Sequence, residues 1–111
     1  DLSGKNNAYL SVVQNYDVPL YWKVKVVEQC VGASSIKIQF QVGDSYTTLV
    51  ENMNVEAGTI ASGILPNVPQ NDIYYLRVVG LDSGGGTATV TSGKIYGYIK
   101  VRRSVPNEYF D

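Results

Sequence analysis

The sequence predicts an all-β protein, a single-domain β-sandwich of seven to eight short antiparallel strands, and three observations support this. Apolar and polar residues alternate in several runs, such as "PLYWKVKVVE" and "SSIKIQFQV". Gly, Pro and Asn residues, which favour turns, separate the runs. No window has the helical spacing of apolar residues, and 111 residues are enough for one domain with its own core.

The first two runs each have a set of side chains that we expect to face the core. These sets are Leu20, Trp22, Val24 and Val26 in the first run, and Ile36, Ile38, Phe40 and Val42 in the second. The segment "QCVGAS", centred on Gly32, separates the two runs and predicts that they form an antiparallel pair.

The run "DIYYLRVVGL" is a mostly buried strand with two possible inward sets. One is Tyr74, Leu76 and Val78, and the other is Ile73, Tyr75 and Val79. We favour the first set because it leaves Arg77 outside the core.

The remaining strands come from "AYLSVVQ", which is the weakest, and from "YTTLVE", "GTIASGIL", "TATVT" and the final run "KIYGYIKV". The "GGG" segment is a turn, since no phosphate-binding pattern follows it. We therefore divide the chain into an N-terminal arm with a weak strand (1–18), the sandwich (19–103) and a C-terminal tail (104–111), and expect both ends to be loose.

Composition excludes several function classes. Nine basic and ten acidic residues give a net charge of −1, which argues against nucleic acid or an anionic membrane as the main partner. No apolar run is long enough to span a membrane as a helix. Histidine is absent, and the single cysteine, Cys30, has no internal disulfide partner.

Catalysis is not expected, and neither is a cofactor. The lysines fall on outward strand positions, the carboxylates show no catalytic spacing, and Trp22 and Cys30 have default roles in the core. A calcium site among the loop carboxylates Asp44, Asp72 and Asp82 is a minor possibility, and a hydrolase is a distant one. No metal site is therefore predicted.

The final strand and the tail carry the candidate binding residues. Nine tyrosines against two phenylalanines are typical of a protein with a contact surface. The predicted partner-binding residues are Tyr96, Tyr98, Lys100, Arg102, Arg103, Tyr109 and Phe110. The alternative is that Tyr96 and Tyr98 only support the sheet, with Tyr21 and Tyr75 as cross-strand neighbours. Gly97, between the two tyrosines, has no side chain, so either backbone approach or a bend is easy there, which favours contact with a partner.

The order of the blocks resembles the capsid cement (decoration) proteins of tailed bacteriophages, of the Bordetella-phage cement type. The resemblance runs from "PLYWKVKVV" through "YLRV" to "TSGKIYGYI" and covers about 80 residues. The matching residues are Leu20, Tyr21, Val42, Asp44, Tyr46, Leu49, Tyr75, Leu76, Arg77, Val78, Thr91, Gly93, Lys94 and Ile95.

This resemblance implies a jelly-roll sandwich, whereas the residue pattern alone leaves an immunoglobulin-like topology open. It also implies a non-catalytic virion protein on the outer surface of the capsid, which bridges major capsid subunits and associates with itself, a dimer being favoured. A different class is a carbohydrate-binding module of a tail fibre or secreted enzyme, using Tyr96, Tyr98, Gln39 and Gln41. A lattice-forming shell or pilus subunit is a third reading.

Overall fold

A computed structural model describes residues 1–65 and 71–101 and has seven strands in this part of the chain. They are β1 (Asn7–Tyr16), β2 (Leu20–Val31), β3 (Ser35–Val42), β4 (Ser45–Met53), β5 (Ile60–Ile64), β6 (Asn71–Leu81) and β7 (Ser92–Val101). They form a four-stranded sheet with the order β1-β6-β3-β4 and a three-stranded sheet with the order β5-β2-β7. Every pairing is antiparallel, so the predicted β-sandwich is confirmed.

The chain crosses between the two sheets at every connection except the β3–β4 hairpin. This connectivity differs from the immunoglobulin constant arrangement, in which three connections stay within one sheet. No helix long and apolar enough to cross a membrane occurs in the described ranges.

The predicted pairing of β2 with β3 is wrong, because the two strands lie in different sheets. β2 pairs with β5 and β7, while β3 pairs with β4 and β6. The segment between β2 and β3 turns at Gly32, whose φ is 100°, and carries the chain from one sheet to the other. Sequence proximity favoured a hairpin, but the core requires the inward faces of β2 and β3 to pack against each other.

The inward sets that the sequence predicts are confirmed, and they form one core between the sheets. Leu20, Val24 and Val26 are fully buried, and Trp22 is nearly so. The favoured inward set of β6 is also correct, because Tyr74, Leu76 and Val78 are buried while Arg77 is partly exposed. The four-stranded sheet contributes Ile36, Ile38 and Phe40, and the Phe40 ring stacks on Tyr74 with 6.0 Å between centroids.

The N-terminal segment is packed rather than loose. Leu2 is 2% exposed and is part of the core, and its N–H donates to Gly93 O at 2.9 Å. Strand β1 is a ten-residue edge strand of the four-stranded sheet, longer than the weak strand expected. The apolar side chain of Leu2 explains the difference, because burying it outweighs the entropy of a free end.

The predicted strand "TATVT" is replaced by two isolated bridges, Lys5 with Val90 and Leu81 with Thr87. High strand propensity gives no strand here because only single residues of this segment find a partner. The "GGG" segment is the predicted turn. The Asp82 carboxylate closes it by accepting hydrogen bonds from the N–H groups of Gly84 and Gly86, each at 2.9 Å.

Gly97 lies on the buried side of β7 and leaves room for two leucines, so its role is in packing. A Cβ at this position would lie 2.9 Å from Leu10 Cδ1 and 3.1 Å from Leu76 Cδ2. The sequence reading of Gly97 as a point of close approach to a partner is therefore wrong. The missing side chain brings β1, β6 and β7 together where the two sheets meet.

Replacing Gly97 with alanine is expected to lower the free energy of unfolding by about 1–3 kcal/mol, because the fully buried Leu76 cannot move aside. Urea denaturation measures this change. Gly84→Ala is the matched control, since a Cβ there meets nothing closer than 3.5 Å, and it should change stability by less than about 0.5 kcal/mol. Equal losses in the two variants would contradict the packing role of Gly97.

Candidate functional site

The outer side of the three-stranded sheet carries most of the residues predicted to bind a partner. We name it the tyrosine–lysine face; its outward side chains are Tyr21, Lys23 and Lys25 from β2, Ile60, Ser62 and Ile64 from β5, and Lys94, Tyr96, Tyr98 and Lys100 from β7. The side chains point outward because their neighbours in each strand are in the core. The alternation predicted for β7 is therefore correct for Tyr96, Tyr98 and Lys100.

Strand register sets lysines opposite tyrosines across this face. Lys25 is opposite Tyr96, Lys23 is opposite Tyr98, and Tyr21 is opposite Lys100. The Lys100 ammonium lies 5.4 Å from the Tyr98 ring centroid and 6.0 Å from that of Tyr21, which are weak cation–π distances. The result is a surface on which rings and cations alternate.

The two predicted contact tyrosines differ in their surroundings. Tyr98 is partly buried and packs on two other rings, with centroids 6.0 Å from Tyr96 and 6.4 Å from Tyr21. Tyr96 is 60% exposed, and among the described residues its one ring–ring contact is the edge contact with Tyr98. Sheet support therefore accounts for Tyr98 better than for Tyr96, whose ring is largely available to a partner.

Exposed apolar area borders these rings. Ile60 and Ile64, the outward residues of the edge strand β5, are 52% and 47% exposed. They lie opposite Lys25 and Tyr21. The sequence did not place β5 in the site. Its outward isoleucines join this face only because β5 pairs with β2, and the sequence does not predict that pairing. Isoleucines beside tyrosines give the face a composition typical of protein interfaces.

An open cleft of about 310 Å³ lies beside Tyr96, where β1 meets β7. Tyr9 from β1 lines it together with Tyr96, and Lys5 and Asp1 are also on its wall. The Ile99 N–H donates to Ser11 Oγ at 3.3 Å and ties the two strands together next to the cleft. A cleft of this size can take one partner side chain or one small ring.

The remaining predicted site residues, Arg102, Arg103, Tyr109 and Phe110, lie outside the described residues. The carboxylates proposed for calcium do not meet. Within residues 1–65 and 71–101, no group of three or more Asp, Glu or Cys side chains is placed to hold a metal ion. Asp82 instead closes its own turn.

Cys30 is buried, as its default role in the core requires. Cys30 is 1% exposed, and burial raises the pKa of its thiol above the usual value because the apolar surroundings disfavour the thiolate. A thiol kept protonated and away from solvent is a poor nucleophile. The residue therefore has a packing role.

The residues that the sequence grouped as a sugar site are divided between the two sheets. Gln39 and Gln41 are on β3 and point outward from the four-stranded sheet, on the opposite side of the sandwich from Tyr96 and Tyr98. Tyr75, expected as a cross-strand neighbour of Tyr96 and Tyr98, is also on that opposite side. These two expectations are wrong, for the same reason as the pairing of β2 with β3.

The outer side of the four-stranded sheet has polar and aromatic groups of its own, and we name it the glutamine face. Its members are Tyr9, Gln39, Gln41, Tyr46, Tyr75 and Arg77. The Tyr9 hydroxyl donates to Gln41 Oε1 at 2.7 Å, and the Tyr9 and Tyr75 centroids are 5.2 Å apart. The Arg77 guanidinium lies 4.9 Å from the Tyr46 centroid. Internal contacts thus engage most of these groups.

Comparisons with known proteins add no relative: no family model, no curated protein and no solved structure matches the chain.

Replacing Tyr98 with threonine should lower the free energy of unfolding by about 1–2 kcal/mol, because two ring contacts are lost. The same change at Tyr96 should cost less than about 1 kcal/mol, since its ring is mostly exposed and threonine keeps strand propensity. Urea denaturation of both variants tests this difference. A larger loss at Tyr96 than at Tyr98 would assign Tyr96 to sheet support and remove it from the site.

Proposed function

We propose that the chain is a non-catalytic structural protein that binds another protein surface through the tyrosine–lysine face. The single observation that carries this proposal is the exposure of Tyr96, Ile60 and Ile64 on the outer side of one sheet, although the core is complete without them. Leaving apolar side chains in water forgoes about 25 cal/mol for every Å² that burial would remove, so their exposure on one face favours a partner that covers them.

The partner that we propose is the major capsid protein of a tailed-phage head. The resemblance of the strand blocks to phage cement proteins supports this choice, and the sandwich with its exposed outer face is compatible with it. In this role the chain lies on the outer surface of the virion and bridges capsid subunits. It also associates with itself, a dimer being favoured.

The size of the face indicates how such binding works. Three strands about 4.8 Å apart and about seven residues of length give a patch of roughly 10 by 20 Å between backbone positions. A stable interface uses about 800 Å² on each partner, which is more than this patch supplies. Many copies on one particle, or self-association, would make weak single contacts sufficient.

Tyr96→Thr should reduce co-sedimentation of the chain with empty heads of the phage that encodes it by about fivefold or more, because exposed aromatic anchors dominate interface energies. Tyr46→Thr is the matched control, since Tyr46 is 48% exposed but lies on the glutamine face. It should bind as the unchanged chain does.

Equal binding by the Tyr96 and Tyr46 variants would contradict the proposed face, and no binding by the unchanged chain would contradict the capsid as partner. Deleting residues 104–111 in the same assay tests the tail residues Tyr109 and Phe110 separately. Unchanged binding after this deletion would remove the tail from the proposal.

Carbohydrate binding is the second candidate, and the glutamine face is the observation that favours it. Tyr9 and Tyr46 are about half exposed there, and Gln39 and Gln41 lie between them on β3. Rings that stack on sugars, next to amides that bond hydroxyls, are the usual materials of a sugar site.

A glycan array tests this second candidate. If it is correct, the unchanged chain binds a defined glycan, Tyr46→Thr lowers that binding at least about tenfold, and Tyr96→Thr leaves it unaltered. An array with no bound glycan would contradict carbohydrate binding. Loss of glycan binding in the Tyr96 variant alone would move the sugar site to the other sheet.

A further inference from the structure

The fold separates charges that are nearly balanced along the sequence. The described residues contain seven lysine and arginine side chains and eight carboxylates. Four of the seven cations, Lys23, Lys25, Lys94 and Lys100, lie on the tyrosine–lysine face, and Glu28 is the one carboxylate at its end. The other seven carboxylates share the rest of the described surface with three cations. One sheet face is therefore positive on a molecule that is otherwise negative.

Within the described residues, a carboxylate neutralises a lysine of this face at one end only. Glu28 Oε2 lies 3.2 Å from Lys94 Nζ, and both side chains are more than half exposed. Lys23 and Lys25 form no ion pair with any residue in the described ranges. They are two positions apart on β2, so their Cα atoms are about 7 Å apart on the same side of the sheet. An acidic surface opposite the two lysines would offset the electrostatic repulsion between their like charges.

From this separation we propose that the tyrosine–lysine face recognises an acidic protein surface, with carboxylates of the partner opposite Lys23 and Lys25. The inference rests on the proposed use of this face and names the chemistry of its partner. Lysines that flank Tyr96 and Ile60 supply charge at the edge of apolar contact area. This is the arrangement in which rim charges steer association and the rings supply the contact.

The face fits protein carboxylates better than nucleic acid or lipid phosphates. Its cations are all lysines, interleaved with rings and isoleucines, while the arginine of the described residues, Arg77, is on the opposite sheet. Phosphate backbones are bound by dense rows of Arg and Lys, and lysines separated by rings and isoleucines do not form such a row. A compact acidic patch on a protein partner would contact the tyrosine–lysine face alone.

Binding to poly-L-glutamate, a carboxylate polymer, tests the inference without a known partner. The unchanged chain should bind it at low ionic strength and lose at least about tenfold in affinity at about 1 M salt, where the screening length falls to about 3 Å. Lys25→Glu should bind at least about fivefold more weakly and Lys25→Gln less so. Lys37→Glu, the same charge change on β3, should stay within about twofold of the unchanged chain.

The outcomes separate this inference from the proposed function. No binding to poly-L-glutamate, equal losses in Lys25→Glu and Lys37→Glu, or tighter binding to duplex DNA or phosphatidylserine vesicles would overturn it. Circular dichroism of each variant confirms that the sandwich remains folded. If empty heads bind the unchanged chain and Lys25→Glu equally, the inference fails while the capsid proposal stands. If the heads bind neither but the polymer binding depends on Lys25, the capsid proposal fails and the acidic partner stands.

Discussion

Burial of the inward side chains of β2 and β7 against the four-stranded sheet is the constraint on which the rest of the structure depends. Leu20, Trp22 and Val24 on β2 and Ile95 and Ile99 on β7 are all at least 90% buried. Side chains alternate between the two sides of the sheet over Leu20–Val26 of β2 and along β7, so burying this set places the intervening tyrosines and lysines on the outer side. A register slip of one residue would place lysines in the core, so packing and surface chemistry are fixed together.

This arrangement separates the residues that stabilise the fold from those available for binding. The core is continuous without Tyr96, Ile60 or Ile64, which remain exposed, whereas Tyr98 and Tyr21 support each other beside them. At the seam between the sheets, Gly97 and Leu10 allow β7 to approach β1 closely, and the cleft between Tyr9 and Tyr96 opens next to that contact. A partner can therefore cover the exposed rings and the cleft without disturbing the core.

The sequence predicts the features that depend on neighbouring residues, but it does not predict those that depend on distant parts of the chain. The inward sets of β2, β3 and β6 follow from alternation within each run. The pairing of β2 with β5 and β7 does not, because the free energy that decides it comes from contacts far along the chain. The error over Gln39 and Gln41 follows from that pairing. The sequence also did not indicate that Leu2 belongs to the core. The net charge of −1 gave no sign that four lysines lie on one sheet.

Hydroxyl-radical footprinting of the chain, free and bound to empty phage heads, tests most directly the claim that one sheet face makes the contact. Binding through the tyrosine–lysine face should protect Tyr96, together with Ile60 and Ile64, while Tyr46 on the glutamine face stays as reactive as in the free chain. Protection of Tyr46 with unchanged reactivity of Tyr96 would contradict binding through the tyrosine–lysine face.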